Sequence, residues 1–231
     1  MRRPILSALL AVSAAIPAFA AERSFPTGGA FDRISNSTPF DVYVHTGKAP
    51  SVRAAGTDEA LKRLQIENRG GELRIGTTPG SWFSGWHGHK ERARIDITVP
   101  MVSAVNLAGP GNMTVDIVRT RDFGVRLSGP GNIKVGSVEV SGITLNLSGP
   151  GDILVAGRAG RAVINLSGPG NIRAAGLDLA EANVTVNGPG DVDATVKRTA
   201  DVRLSGPGDV RIRGGARCSI HKSGPGDVTC G

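Results

Sequence analysis

The chain has 231 residues, of which 20% are charged and only 4% aromatic, with 33 glycines and a formal net charge of +7. So few large side chains cannot fill a big compact globule. Together with the regular Val, Ile and Leu they point to a thin core built by stacking. The basic residues are dispersed with no contiguous Lys/Arg run, which argues against nucleic acid and leaves acidic glycans, lipopolysaccharide or an envelope protein as partners.

Arg2 and Arg3 precede an apolar run from Ile5 to Ile16, and Ala18-Phe19-Ala20 supplies a small-x-small cleavage pattern. These are the three parts of a secretory signal peptide, residues 1–20, and the run is too short to span a bilayer. The mature chain is expected to begin near Ala21, to lose two arginines and fall from +7 to +5, and to reside in the periplasm or on the outer surface of a bacterium. No other segment is long and apolar enough to be a transmembrane segment.

Residues 21–100 read as a wider, irregular β region or small antiparallel cap, continuous with the solenoid that follows. "FDVYVHT" (40–46), "GELRIGT" (71–77) and "RIDITVP" (94–100) alternate apolar and polar residues, the pattern of half-buried strands. "DEALKRLQIE" (58–67) holds a possible helical turn at Leu61, Leu64 and Gln65, although Ile66 and Glu67 could equally begin a strand. "GSWFSGWHGHK" (80–90) breaks the composition by gathering Trp82, Phe83, Trp86, His87 and His89 in one Gly/Ser-rich loop. Two readings stand there: a ligand or partner loop, and a hydrophobic lid over the end of the stack. His87 and His89 have no third ligand in sight for a metal.

Residues 101–231 are a repeat. Gly-Pro-Gly occurs with its proline at 110, 130, 150, 169, 189, 207 and 225, at intervals of 20, 20, 19, 20, 18 and 18 residues. Each proline is followed two residues on by Asn or Asp, and then by Met113, Ile133, Ile153, Ile172, Val192, Val210 or Val228. Apolar residues also stand five before it, and three before every proline but the last, so one face of each strand points to a core. The unit reads as strand, tight corner, strand and looser return, with Pro setting φ and the following Gly accepting positive φ in a type II turn. This predicts an all-β fold, a parallel β-helix (β-solenoid) of about seven 18–20-residue coils. The rival is a leucine-rich repeat, whose helical segment has no room in "VGSVEVSG" (135–142) or "VKRTAD" (196–201).

With this order of elements on the page — Phe31-Asp32, "GELRI" (71–75), "RIDITVP" (94–100) and recurrent Gly-x-Gly-Asn/Asp-apolar corners — the chain resembles the head GIN domain family of auto-transporter adhesin heads over about residues 30–228. Gly-Ser-Gly-Asp, frequent in that family, is here Gly-Pro-Gly-Asp or Gly-Pro-Gly-Asn. The resemblance implies a β-helix-like fold in the bacterial envelope and carries over no catalytic residues.

Register supplies the remaining candidates. Cys218 takes the position of Phe123, Ile143 and Ala162 in their coils, and Cys230 that of Val115, Val135 and Val155, so both point into the last coil. In an oxidising compartment they are expected to pair, Cys218–Cys230. Asp191, Asp209 and Asp227 are three consecutive acids in the Asn/Asp column. Turn-stabilising hydrogen bonds explain them, with Ca²⁺ as the alternative. Arg126, Lys134, Arg173, Arg203 and Arg211 point outward and are candidates for an anionic-ligand face, or for a solvated one.

No Gly-x-Ser-x-Gly elbow, His-Glu-x-x-His or phosphate-cradling loop occurs, and no cofactor is expected. The function expected is therefore a non-enzymatic exported interaction, adhesin-like or structural module. Binding or cleavage of an acidic polysaccharide on the solenoid face is the alternative, by analogy with lyases of similar shape.

Overall fold

The computed structural model describes residues 21–78 and 93–231; the expected signal peptide and the aromatic loop with Trp82, Phe83, Trp86, His87 and His89 lie outside the described residues. It is a β-solenoid of about six turns.

The repeat region supplies β9 (Met113–Leu127), β10 (Ile133–Leu147), β11 (Ile153–Leu166), β12 (Ile172–Val186) and β13 (Val192–Leu204), each one nearly complete coil. A last coil is divided among β14 (Val210–Arg213), β15 (Arg217–Lys222) and β16 (Val228–Cys230). All of these pair in parallel. The expected looser return is instead strand too. Val138 and Leu179 face inward there, so the return belongs to the ladder and to the core. Coil lengths of 18, 19 and 20 are absorbed in that stretch, where the register slips between Leu154 and Gly157 and again between Ala174 and Asp178. Gly157, at φ +122, sits at one slip, a conformation that side chains disfavour.

The aliphatic file runs in register from Val42 through Met113, Ile133, Ile153, Ile172, Val192 and Val210 to Val228. Ile133, Ile153 and Ile172 are at most 1% exposed. Seven corners thus bound about six turns, and small Ala162, Ala182 and Ala200 let the tube stay narrow.

The corner is tight, but not for the expected reason. None of its glycines has positive φ, so the turn is not type II. A Cβ on the second glycine of a corner would instead fall on the carbonyl oxygen of its counterpart one coil earlier: Gly131 on Gly111, Gly151 on Gly131, Gly170 on Gly151. The glycines are there because backbone stacks on backbone.

The N-terminal region joins this stack in one hydrogen-bonded sheet. β2 (Arg33–Asn36) lies between β6 (Glu72–Thr77) and β8 (Ala104–Leu107), and β3 (Asp41–Thr46) between β7 (Ala93–Val99) and β9, all in parallel. Residues 33–46 therefore form a coil of their own, whose corner Ser37-Thr38-Pro39-Phe40 stacks on Ala108–Gly111 without a single glycine. Antiparallel strands close this end: β1 (Ala21–Phe25) on β4 (Ser51–Gly56), β4 on β7, and β5 (Leu64–Arg69) on β6.

α1 (Asp58–Arg63) packs beneath. Thr57 caps it by accepting the Ala60 amide at 3.3 Å, acids occupy its first turn and bases its last. It ends where Leu64 and Ile66 take up strand alternation, so the segment is both helical turn and strand.

Candidate functional site

The Asn/Asp column begins one coil earlier than the glycine repeat. Asp41 Oδ1 accepts the Asn112 amide and side chain at 3.0 and 2.9 Å, and Asn112 Oδ1 accepts from Asn132 at 3.2 and 3.0 Å. The same bond repeats through Asp152, Asn171, Asp191 and Asp209 to Asp227, each Oδ1 taking the backbone N–H of the next coil at 2.8–3.1 Å. The column is thus a continuous ladder that bonds coil to coil. In Asp191 and Asp209 one carboxylate oxygen accepts a backbone N–H, and Asp227 is paired with Lys222 at 3.1 Å. Among the described residues no group of three or more His, Cys, Asp and Glu is arranged to hold a metal ion.

The five outward cations fall in two rows on opposite sides of the corner, not on one face. Lys134, Arg173 and Arg211 share a row with Leu154 and Asp193, whereas Arg126 and Arg203 share one with Asn146, Asn165 and Thr185. Arg173 is paired with Asp152 at 3.0 Å and Arg203 with Asp201 at 2.9 Å. Arg126, Lys134 and Arg211 have no ion-pair partner among the described residues. In the second row Asn165 donates to Asn146 at 2.9 Å, another rung between coils.

Sequence reasoning missed the charges of the return strand. Arg119, Glu139, Arg158 and Asp178 stand in register, alternating in sign, with Arg119–Glu139 at 3.5 Å and Lys197–Asp178 at 3.4 Å. Beside them Glu181 is held by both Arg161 and Arg198, each at 3.0 Å. The alternation was present in the sequence at steps of 20, 19 and 20 residues, but it lies in the stretch expected to be a looser return rather than a strand.

A second cluster missed by sequence lies on β3, β7 and β9. Arg94 clasps Asp96 at 2.7 Å and covers the Tyr43 ring at 4.0 Å, and the Asp96 hydrogen bond holds its guanidinium above the ordinary arginine value. His45 reaches Asp116 at 3.4 Å, whose other oxygen accepts the Thr46 amide. The 79–92 segment begins next to Thr78, whose amide bonds Arg63 O, and ends at Ala93, paired with Gly56.

Cys218 and Cys230 form a disulfide, Cα–Cα 6.5 Å, across the last coil. Cys218 continues the file of Ala182 and Ala200, and Cys230 that of Ala194 and Ile212. The bond closes the open end where Ile220 is 44% exposed.

A family model described as "Putative auto-transporter adhesin, head GIN domain" matches residues 30–216. No curated protein matches the chain by sequence. Among solved structures, a "putative adhesin" of Bacteroides fragilis superposes with a TM-score of 0.80 at 20% identity, covering 90% of this chain and 95% of that one. A "putative lipid binding protein" of Parabacteroides distasonis gives 0.66 at 19% identity over 90% and 96%, and a "putative adhesin" of Parabacteroides merdae 0.66 at 17% over 90% and 95%. At such identities these likenesses show the fold alone. The family match, spanning most of the sequence and all but the last of the stacked coils, shows more: the chain belongs to the head GIN domain family.

Proposed function

We propose that the protein is an exported, non-enzymatic module of the bacterial envelope that offers the regular faces of its solenoid to a partner. The observation that carries this reading is where its polar groups are spent. The Asn/Asp ladder and the ion pairs bond coil to coil, so the outward rows form a rigid patterned plate. Such a plate suits recognition over an extended area better than chemistry at one point. The adhesin-head description of the family, the relatives named as adhesins, and the signal-like first twenty residues agree with it.

The test has two arms. Fractionation of cells producing the full chain should place it, processed, in the periplasmic or outer-membrane fraction. Incubation with a panel of acidic polysaccharides and lipopolysaccharide should show retention without unsaturated products. Cytoplasmic retention of the unprocessed chain, or turnover of any polymer, would contradict the proposal.

A further inference from the structure

One concave place on the plate holds a cation that the ion pairs leave unmatched. A cavity of about 340 Å³ opens where β12, β13 and β15 run side by side. That is within the size of small-ligand clefts, about 300–1,000 Å³. Glu181, Thr199 and Arg217 stand in register across it, one from each coil. Thr199 is short, so a notch separates Glu181 from Arg217, whose backbones lie two strand spacings apart, about 9–10 Å.

Neither wall can satisfy the other. Glu181 is clamped by Arg161 of the coil before it and Arg198 of the coil after it, both at 3.0 Å, and Asp201, on the cavity rim, is paired with Arg203 at 2.9 Å. Arg217 is exposed and has no carboxylate partner among the described residues. Opposite one free guanidinium the cavity therefore presents fixed carboxylate acceptors. A bare phosphate would meet Arg217 but bring no sugar hydroxyls to the Glu181 and Asp201 oxygens, and a neutral sugar would leave Arg217 unmatched. A carboxylated sugar answers both, its carboxylate on Arg217 and its hydroxyls donating to Glu181 and Asp201.

We propose that this notch is a subsite for one uronate residue of an acidic polysaccharide, with Arg217 as its anion anchor and Glu181 as its hydroxyl acceptor. The assignment rests on the reading of the protein as a binding module and names the chemistry of one ligand. Because Arg217 adjoins Cys218, the disulfide holds the anchor in place.

Tri-galacturonate, its neutral galactose counterpart and inorganic phosphate, titrated into the folded, disulfide-bonded protein, test it by amide chemical shifts and calorimetry. Tri-galacturonate should shift Thr199, Asp201 and Arg217, and the other two probes should not. Arg217→Gln and Glu181→Gln should each weaken binding at least about tenfold at unchanged melting temperature, while Lys62→Gln on α1 leaves it intact. No shift with the wild-type chain, equal binding of phosphate, or full affinity in Arg217→Gln would overturn the subsite. Tri-galacturonate shifts confined to another surface would overturn it too, yet leave the binding-module reading standing; cytoplasmic retention would remove that reading alone.

Discussion

The corner at residues 37–41 and the seven Gly-Pro-Gly corners adopt the same place in the stack with different residues. Both put proline at the tip and an acid or amide two positions on, and both enter the same ladder, Asp41 accepting from Asn112 as Asn112 accepts from Asn132. They differ where glycine stands. Gly109 and Gly111 press on the backbone of Thr38 and Phe40, whereas the 37–41 corner itself carries side chains at both glycine positions. There the chain places a 1%-exposed Thr38 and a 4%-exposed Phe40, knotted by Asn36: its Oδ1 accepts the Thr38 amide at 2.9 Å and its amide donates to Phe40 O at 3.1 Å. The lesson is that glycine in these corners answers to the neighbouring coil, whose backbone a Cβ would strike.

Several substitutions probe that difference. The largest effect expected is from Phe40→Ala, which empties the buried plug of the first corner and should cost about 3–5 kcal/mol in chemical denaturation. If the corner were merely a surface loop, the loss would be well under 1 kcal/mol. Next, Cys218→Ser with Cys230→Ser should cost about 2–3 kcal/mol, with hydrogen exchange rising in β15 and β16 and not at the first corner. Asn132→Ala removes an acceptor from the Asp152 amide and a donor to Asn112, and should cost about 1–2 kcal/mol. The smallest effect belongs to Asp209→Asn. It keeps the acceptor for the Asp227 amide while removing one charge from three stacked acids, so stability should stay within about 1 kcal/mol of wild type and rise if anything. A marked loss instead would mean that the carboxylate charge itself is needed, as a bound Ca²⁺ would require.

Much of this architecture could be read from residues alone because a solenoid writes its geometry as a period. The file of Ile133, Ile153 and Ile172 and the inward register of Cys218 and Cys230 follow from one column of prolines, and the family resemblance from the order of Phe31-Asp32, "GELRI", "RIDITVP" and the Gly-x-Gly-Asn/Asp corners. What escaped has physical causes. The Ser37–Asp41 corner was invisible to a search for Gly-Pro-Gly because its glycines are unnecessary there; Ser-x-Pro-x-Asp followed by Val42 was the available signal. The type II turn was inferred from the chain's own dihedrals, whereas the glycine requirement comes from a neighbour about 20 residues away. The Glu181–Arg217 notch follows two equal steps of 18 residues, but spacing alone does not say that Arg161 and Arg198 already hold Glu181 while Arg217 is left over.

The claim on which all of this rests is that corner backbones lie in direct contact from coil to coil. Gly151 and Gly142 test it within ten residues of each other, since a Cβ at Gly151 meets the backbone of Gly131 and one at Gly142 meets only the movable end of Asp122. Thermal unfolding of Gly151→Ala should show a loss of about 3 kcal/mol or more, roughly 6–12 °C in melting temperature for a chain of this size, while Gly142→Ala stays within about 2 °C of wild type. Equal melting temperatures for the two variants would contradict the stacked-corner account.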